Sequence, residues 1–263
     1  VESSAEALGG TFVVMRRVAG ATMVPEFEGL GRGRSVAEML ATIMRAPAII
    51  ARSMRQLSAY QARLHELPAG PLASALKSAG LAVPTFDARL ERIRRLAATA
   101  TGSKLQSLAR WLDTNRPREP ERDSICHGDF QPFNVLVEGG ELRGVIDWSN
   151  AAIADSALDV AGTAASMLTV PVSLARPLKP LVYAMFGLSR YVYLRAYRRL
   201  RPLDPEAIRY YEVVRCALEL AWMADARSRG RVAGAYQSAE GFARLTARIR
   251  KLSGIRVDAT FAR

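Results

Sequence analysis

The pattern of apolar and polar residues predicts a mostly helical chain. Helical patterns occupy eight segments: 35–45, 47–67, 86–98, 103–115, 155–168, 174–200, 204–229 and 237–252. Apolar residues recurring at the helical period indicate amphipathic helices with one buried face. Pro47 suits a first helical turn, so we expect a break between the first two segments. The stretch 68–84, with a proline at each end, is predicted to be a linker.

One segment has the pattern of a β-hairpin. An apolar run at 135–137 is followed by Glu-Gly-Gly-Glu at 138–141 and by a second apolar run that leads to Asp147. A Gly-Gly turn between two such runs predicts a hairpin. Because a hairpin brings its two ends together, Asn134 and Asp147 should lie close to each other. Asp129 should stay near them on the preceding loop.

Length and composition limit the class of protein. With 263 residues, 49% of them hydrophobic, the chain can bury one substantial core or a lobe with an attached subdomain. No uncharged run reaches the roughly 18 residues of a membrane span, and no signal-peptide pattern is present. Cys126 and Cys216 are too few for a disulfide framework. We therefore expect a cytoplasmic protein without a membrane partner.

The net charge of +12 is unevenly distributed. Residues 176–263 hold 18 basic and 7 acidic residues, whereas the preceding 175 hold 19 and 18. A basic region can attract nucleic acid, an anionic membrane or an acidic substrate. Arginine supplies 33 of the 37 basic residues beside abundant alanine, which favours a compositional bias on solvated helix faces. Aromatic and basic residues do not interleave as in single-strand binders, so we expect no nucleic-acid partner.

Asp129, Asn134 and Asp147 are the residue types that phosphoryl transfer needs. Magnesium prefers carboxylate, carbonyl and water oxygens, and it takes one or two protein ligands besides substrate phosphates; Asn134 and Asp147 meet that need. The transfer also needs a carboxylate that accepts the proton of the acceptor hydroxyl, and Asp129 is the candidate. His127 suits a brace bonded to nearby backbone better than a second base. A closed transition-metal site is disfavoured, since the chain has two histidines and its cysteines lack metal-binding spacing.

The stretch HGDFQPFNVLVEGGELRGVIDW, continuing as NAAIADSALDVAG, resembles the aminoglycoside phosphotransferase family, which has a protein-kinase-like fold. The family pattern is His-Gly-Asp, four residues, Asn, a hairpin to Ile-Asp, and two further aspartates opening a helix. The resemblance implies that Asp129 is the catalytic base and that Asn134 and Asp147 hold Mg2+. It implies that Asp155 and Asp159 pin the catalytic loop. It also implies ATP or GTP as donor and a small-molecule hydroxyl as acceptor.

Two further segments carry the same resemblance. The β-rich run TFVVM is similar to the last small-lobe strand, followed by the hinge that holds adenine. On that register Met15 lies behind the adenine, and the carbonyl of Arg16 and the amide of Val18 bind its edge. The segment ARLHELP at 62–68 is similar to the end of the first large-lobe helix, where His65 is structural.

Several kinase parts cannot be placed in the sequence. A kinase needs a glycine-rich cover over the phosphates, a strand lysine and a helix glutamate, yet no lysine precedes Lys77. We therefore expect an α+β, mostly helical fold: a protein-kinase-like C-terminal lobe with a short catalytic hairpin and the small lobe largely absent. The predicted division is a small-lobe remnant at 1–23 and a large lobe at 24–263, with the catalytic hairpin at 125–148 and a helical substrate subdomain at 155–263. Alone, such a chain should turn over slowly or not at all.

The sequence does not identify the phosphoryl acceptor, and it leaves one alternative function open. The acceptor site should lie between the catalytic loop and the late helices, where Glu206, Glu212, Glu219 and Asp225 are candidate carboxylates among many arginines. Aminoglycosides are polycations, so we favour a different hydroxylated metabolite or antibiotic, such as a sugar or amino alcohol. The alternative is a non-catalytic kinase-like binding module that relies on a partner. Phe133 departs from the family, which usually has a small residue before the asparagine.

Overall fold

A computed structural model of the protein describes residues 17–25, 36–98, 105–118, 120, 122–172, 176–228 and 238–257. Within these ranges the chain forms eight α-helices and two small sheets. The helices are α1 (Val36–Glu66), α2 (Ala69–Ser78), α3 (Phe86–Ala97), α4 (Gln106–Thr114), α5 (Ser156–Thr169), α6 (Lys179–Leu200), α7 (Pro205–Ser228) and α8 (Ala239–Ser253). The predicted α+β, mostly helical fold is confirmed.

Two details of the helix prediction are wrong. Pro47 lies inside α1 rather than at a break. A proline removes one backbone N–H, but the neighbouring turns of α1 are held by packing, since Ala46 and Ile50 are buried. The predicted linker at 68–84 contains α2, because Pro68 adopts the extended conformation of a residue that precedes a helix.

Side-chain caps set several of the helix ends. The Asp155 carboxylate accepts from the backbone N–H of Ala157 at 2.8 Å and begins α5. The Asp204 carboxylate accepts from the N–H of Glu206 at 2.9 Å at the start of α7. Such caps satisfy N–H groups that have no partner inside the helix.

Five short strands form two antiparallel sheets. β1 (Ala21–Thr22), β3 (Val135–Glu138) and β4 (Glu141–Val145) form one sheet in the order β1-β3-β4. β2 (Ser124–Cys126) pairs with β5 (Ala152–Ala154) in the other. The predicted hairpin is confirmed, with Val135 opposite Val145. It also pairs with the segment before α1, since Ala21 lies opposite Val137.

The core surrounds α5, which packs against α6, α7 and α8. Val160, Ala161 and Ala164 of α5 are completely buried, and the small alanine side chains allow its neighbours to approach closely. On the far side α6 packs along α1, with Tyr193 and Tyr197 fully buried between them. Strand β2 also packs against α5, so the loop that follows β2 begins beside this buried helix. Within the described ranges, no helix combines the length and apolar character needed to cross a bilayer.

Candidate active site

Asp159, in the first turn of α5, holds the loop that follows β2. Its carboxylate accepts from the backbone N–H of His127 at 3.0 Å and of Gly128 at 2.6 Å. His65 lies 3.1 Å away through Nε2, and both side chains are completely buried. The loop backbone is therefore bonded directly to a buried carboxylate.

This carboxylate is ionised despite its burial. Burial alone would raise the pKa of Asp159, but hydrogen bonds and charge from His65, with further bonds from Gln61 and the Gly128 amide, lower it to about 2. The other ring nitrogen of His65 bonds to the Tyr197 hydroxyl at 2.6 Å. His65 is thus structural, as expected from the sequence, and it joins α1 and α6 to the loop.

Gly128 has no room for a side chain. Its φ of 82° lies in the left-handed region, which glycine adopts without steric cost. A Cβ at this position would overlap the carbonyl oxygen of Asn150. The same oxygen accepts a hydrogen bond from Arg89, and burial lowers the pKa of that guanidinium. The glycine of the motif is therefore required by close backbone packing.

The two oxygens of the Asp129 carboxylate have different hydrogen-bond partners. Oδ1 accepts from Gln131 Nε2 and, at 3.2 Å, from Arg215 Nη2. Among the residues that the structure describes, Oδ2 has one long contact, of 3.4 Å from Asn134 Nδ2. Arg215 also donates to the carbonyl of Gly128 at 2.9 Å, so α7 fixes both the backbone and the side chain of this loop.

His127 uses both of its ring nitrogens within the loop. Nε2 donates to the carbonyl of Ile146 at 2.9 Å, and Nδ1 accepts from the Asp129 amide at 3.2 Å. The ring packs edge-on against Trp148, with the centroids 4.7 Å apart, and against Phe130. His127 therefore connects the loop to the end of the hairpin.

The hairpin brings Asn134 to the segment that carries Asp147. The amide of Ile146 donates to the Asn134 carbonyl at 2.9 Å. Asp147 has a φ of 62°, and its Oδ1 accepts from the Ser149 hydroxyl at 2.6 Å. Asn134 Nδ2 donates to the Asp129 carbonyl at 2.9 Å, so the side-chain oxygen of Asn134 points away from that carbonyl.

These groups fit a hard divalent cation. One carboxylate and one amide oxygen are the ligand types that Mg2+ takes from a protein when substrate phosphates supply the rest. A cage of three or more His, Cys, Asp or Glu side chains is absent from the residues that the structure describes. One carboxylate and one amide oxygen leave most coordination positions of a cation to other ligands, such as phosphates.

The segment predicted to be a hinge is described only in part. Met15 and Arg16 lie outside the described residues. Val18 is half-buried and lies against β4, where a Cβ added to Gly144 would be 2.9 Å from its side chain. Its role towards adenine stays a prediction. Further on, the Met23 amide donates to the carbonyl of Pro132 at 3.1 Å, which ties this segment to the catalytic loop.

Arg215 was not identified as a site residue from the sequence. In the structure Glu212 is buried and contacts Arg190 and Arg248. Arg215 contacts Asp129 and, at 2.8 Å, Glu219. The i,i+4 spacing of Arg215 and Glu219 was visible in the sequence, but their distance from Asp129 in the chain hid the contact.

The structure also describes Phe133 and the candidate acceptor carboxylates. Phe133 is about half exposed, so its bulk is accommodated outside the core. Of the candidate acceptor carboxylates, Glu206 pairs with Arg209 and Asp225 with Arg92. Among the described residues, Glu219 is the one of the four that shares a partner with Asp129.

A model described as the phosphotransferase enzyme family (APH) matches residues 1–203. The chain belongs to this family. The match contains Asp129, Asn134 and Asp147, whereas Arg215 and Glu219 lie beyond it.

Solved structures similar to this APH-family chain include several small-molecule kinases. A choline kinase from Streptococcus pneumoniae is 15% identical, covering 79% of this chain and 66% of its own, with a TM-score of 0.48. A choline/ethanolamine kinase family protein from Mesorhizobium loti is 13% identical, and the match covers 84% of this chain and 66% of that protein, with a TM-score of 0.49. An amicoumacin kinase in complex with AMP-PNP and Ca2+ is 15% identical, and the match covers 87% of this chain and 64% of that protein, with a TM-score of 0.47. The chain spans about two thirds of each. No curated protein matches it.

We expect Asp159→Asn to lower the unfolding free energy by about 3 kcal/mol near neutral pH, as when one partner of a buried ion pair is removed. The folded-state pKa of about 2 lies below the ordinary aspartate value of about 3.9. The wild-type carboxylate therefore stabilises fully above the ordinary pKa and loses this contribution as pH falls through the folded pKa. Urea unfolding should show the difference between the proteins shrinking from about pH 5 to pH 2.

The matched control is Asp113→Asn, which removes an exposed carboxylate paired with Arg94 at 2.6 Å. Exposed pairs contribute less than about 1 kcal/mol, so this change should be small. A difference for Asp159→Asn that stays constant with pH would contradict the ionised buried carboxylate.

We expect Gly128→Ala to destabilise the protein by more than about 2 kcal/mol, because a left-handed conformation alone costs about 1–2 kcal/mol and the methyl group also overlaps backbone. Gly139→Ala is the control. Gly139 has a φ of 60°, but a Cβ there meets no atom within 4 Å. Thermal unfolding compares the two. Equal destabilisation would show that the contact with Asn150 does not matter.

Proposed function

We propose that the natural protein containing this chain is an O-phosphotransferase that moves the terminal phosphoryl group of ATP, or of GTP, to a hydroxyl of a small molecule. The proposal assigns residues 24–263 to the kinase-like large lobe and 1–23 to the end of the small lobe. The observation that carries it is the Asp129 carboxylate, which is oriented through one oxygen and lies beside Asn134, the residue bonded to the hairpin end that bears Asp147.

Asp129 is proposed as the base. Gln131 and Arg215 restrain Oδ1, so the carboxylate cannot rotate freely. Oδ2 carries the weaker contact and is the oxygen available to accept the proton of the acceptor hydroxyl. Because such a transfer depends mainly on alignment and charge neutralisation, a fixed orientation of this carboxylate is the main contribution of the loop.

Asn134 and Asp147 are proposed to hold the Mg2+ of the nucleotide. When bound, the cation neutralises charge on the transferring phosphates. Asn134 also restrains the Asp129 backbone, so the proposed metal ligand and the proposed base keep a fixed relation. His127, Asp155 and Asp159 are assigned supporting roles, since each bonds to backbone of the loop or of α5.

Arg215 is proposed as a positioning residue, and Glu219 as a wall of the acceptor side. Burial raises the pKa of the Glu219 carboxyl, the nearby Arg215 lowers it, and Asp129 raises it again. The three side chains carry a net charge of −1 when both acids are ionised. An acceptor with a hydroxyl beside a single amine would complement that charge, whereas an aminoglycoside would need more carboxylates than these.

We expect Asp129→Asn to lower kcat by roughly 10²–10⁴, the usual contribution of a positioned base, and to leave nucleotide affinity nearly unchanged. The measurement is nucleoside diphosphate release by the complete natural protein across a panel of sugars, amino alcohols and antibiotics. Asp147→Ala is the comparison and should weaken Mg2+-dependent nucleotide binding instead. Wild-type turnover by Asp129→Asn at saturating substrate and Mg2+ would rule out Asp129 as the base.

We expect Arg215→Gln to lower kcat about 10- to 100-fold, because small misplacements of a reacting group have effects of this size. The KM for nucleotide should not change, and Arg215→Lys should recover part of the rate. Arg94→Gln is the matched control, because Arg94, like Arg215, pairs with an aspartate from another part of the chain. If Arg215→Gln and Arg94→Gln lost kcat and stability equally, the role of Arg215 would be structural only.

The same assays separate the enzyme from the rival interpretation. A kinase-like binding module would bind nucleotide or acceptor without releasing nucleoside diphosphate for any member of the panel. Its Asp129→Asn variant would also bind like wild type.

A further inference from the structure

A cavity of about 530 Å³ opens between α6, α7 and α8, away from the catalytic loop. Its wall contains six arginines, Arg190, Arg195, Arg198, Arg199, Arg209 and Arg248. Glu212 lies in the same wall and is almost completely buried. On α7 this glutamate precedes Arg215 by about one turn, so the cavity and the proposed active site lie on neighbouring parts of one helix.

The acidic residues around the cavity do not balance these arginines. Glu212 receives Arg190 at 2.6 Å and Arg248 Nε at 2.7 Å, so one carboxylate faces two guanidinium groups. Arg209 pairs with Glu206 at 3.2 Å. Within the part of the chain that the structure describes, Arg195, Arg198 and Arg199 have no ion pair with an acidic residue. The cavity therefore has a marked excess of positive charge.

Helix formation alone does not explain this cluster. Arg198 and Arg199 lie in the last turn of α6, where positive charge suits the helix dipole. Arg195 lies outside that turn, three and four residues before them, and like charges at these spacings oppose helix formation. In addition, Arg190 Nε is buried without a hydrogen-bond acceptor among the described residues. A bound anion would offset the repulsion among these guanidinium groups.

We infer that this cavity binds a small organic anion carrying two or more phosphate groups. Guanidinium groups bind phosphate through paired hydrogen bonds, and the volume is that of a small-molecule site. Leu194, Ile208 and Leu252 add an apolar wall, which suits a carbon skeleton attached to the phosphates. The carboxylate of Glu212 fixes two of the arginines and leaves the others for the ligand.

Pyrophosphate is the probe, and isothermal titration calorimetry is the measurement. EDTA is included so that binding through Asn134 and Asp147 does not contribute, at a salt concentration of about 0.15 M to screen diffuse attraction. We expect one saturable site. The double variant Arg195→Gln/Arg199→Gln should bind at least about tenfold more weakly, as expected when charge-assisted hydrogen bonds are lost.

The control is Arg55→Gln/Arg63→Gln, which removes the same charge from exposed positions of α1 and should keep wild-type affinity. Circular dichroism checks folding, and the single variant Arg198→Gln, at another arginine of the cavity wall, should also weaken binding. Equal affinities for cavity and control variants would overturn the inference, as would the absence of saturable binding. Preferential binding of RNA that the cavity variant abolishes would also overturn it, in favour of a nucleic-acid surface.

Discussion

The buried carboxylate of Asp159 is the contact on which the site geometry depends. It accepts hydrogen bonds from two backbone N–H groups of the loop that follows β2 and pairs with His65, which in turn contacts Tyr197. A buried charge is costly unless it is paired and hydrogen-bonded, so the loop, α1 and α6 must keep their places around it. The position of Asp129, two residues beyond His127, follows from this fixed backbone.

Helix α7 also restrains the loop, and it does so through electrostatic contacts as well as packing. Arg215 contacts the side chain of Asp129, the loop carbonyl of Gly128 and the carboxylate of Glu219. One turn earlier, Glu212 holds Arg190 and Arg248 between α6 and α8. The basic character of the late helices is therefore only partly surface composition, because several of these guanidinium groups pair with buried carboxylates and determine how the helices meet.

Most of the fold and the local part of the site could be predicted from the sequence. The hairpin was predictable because Gly139-Gly140 supplies the positive φ angles of the turn, and α5 because Asp155 caps it. Pro47 was mispredicted because the turns around it are buried. The helix in 68–84 was missed although that segment is mostly exposed, since its alanines and leucines favour a helix.

Residue order alone determined the family pattern, the hairpin, the helical body and the nearness of Asn134 to the segment of Asp147, because these depend on spacing and local backbone preferences. Tertiary structure decided the contact of Arg215 with Asp129, the burial of Glu212 between two arginines and the arginine-lined cavity. Each of these joins residues that are distant in the chain, and the late helices contain more arginines than acidic residues. Only the packing of the helices selects which of them form pairs.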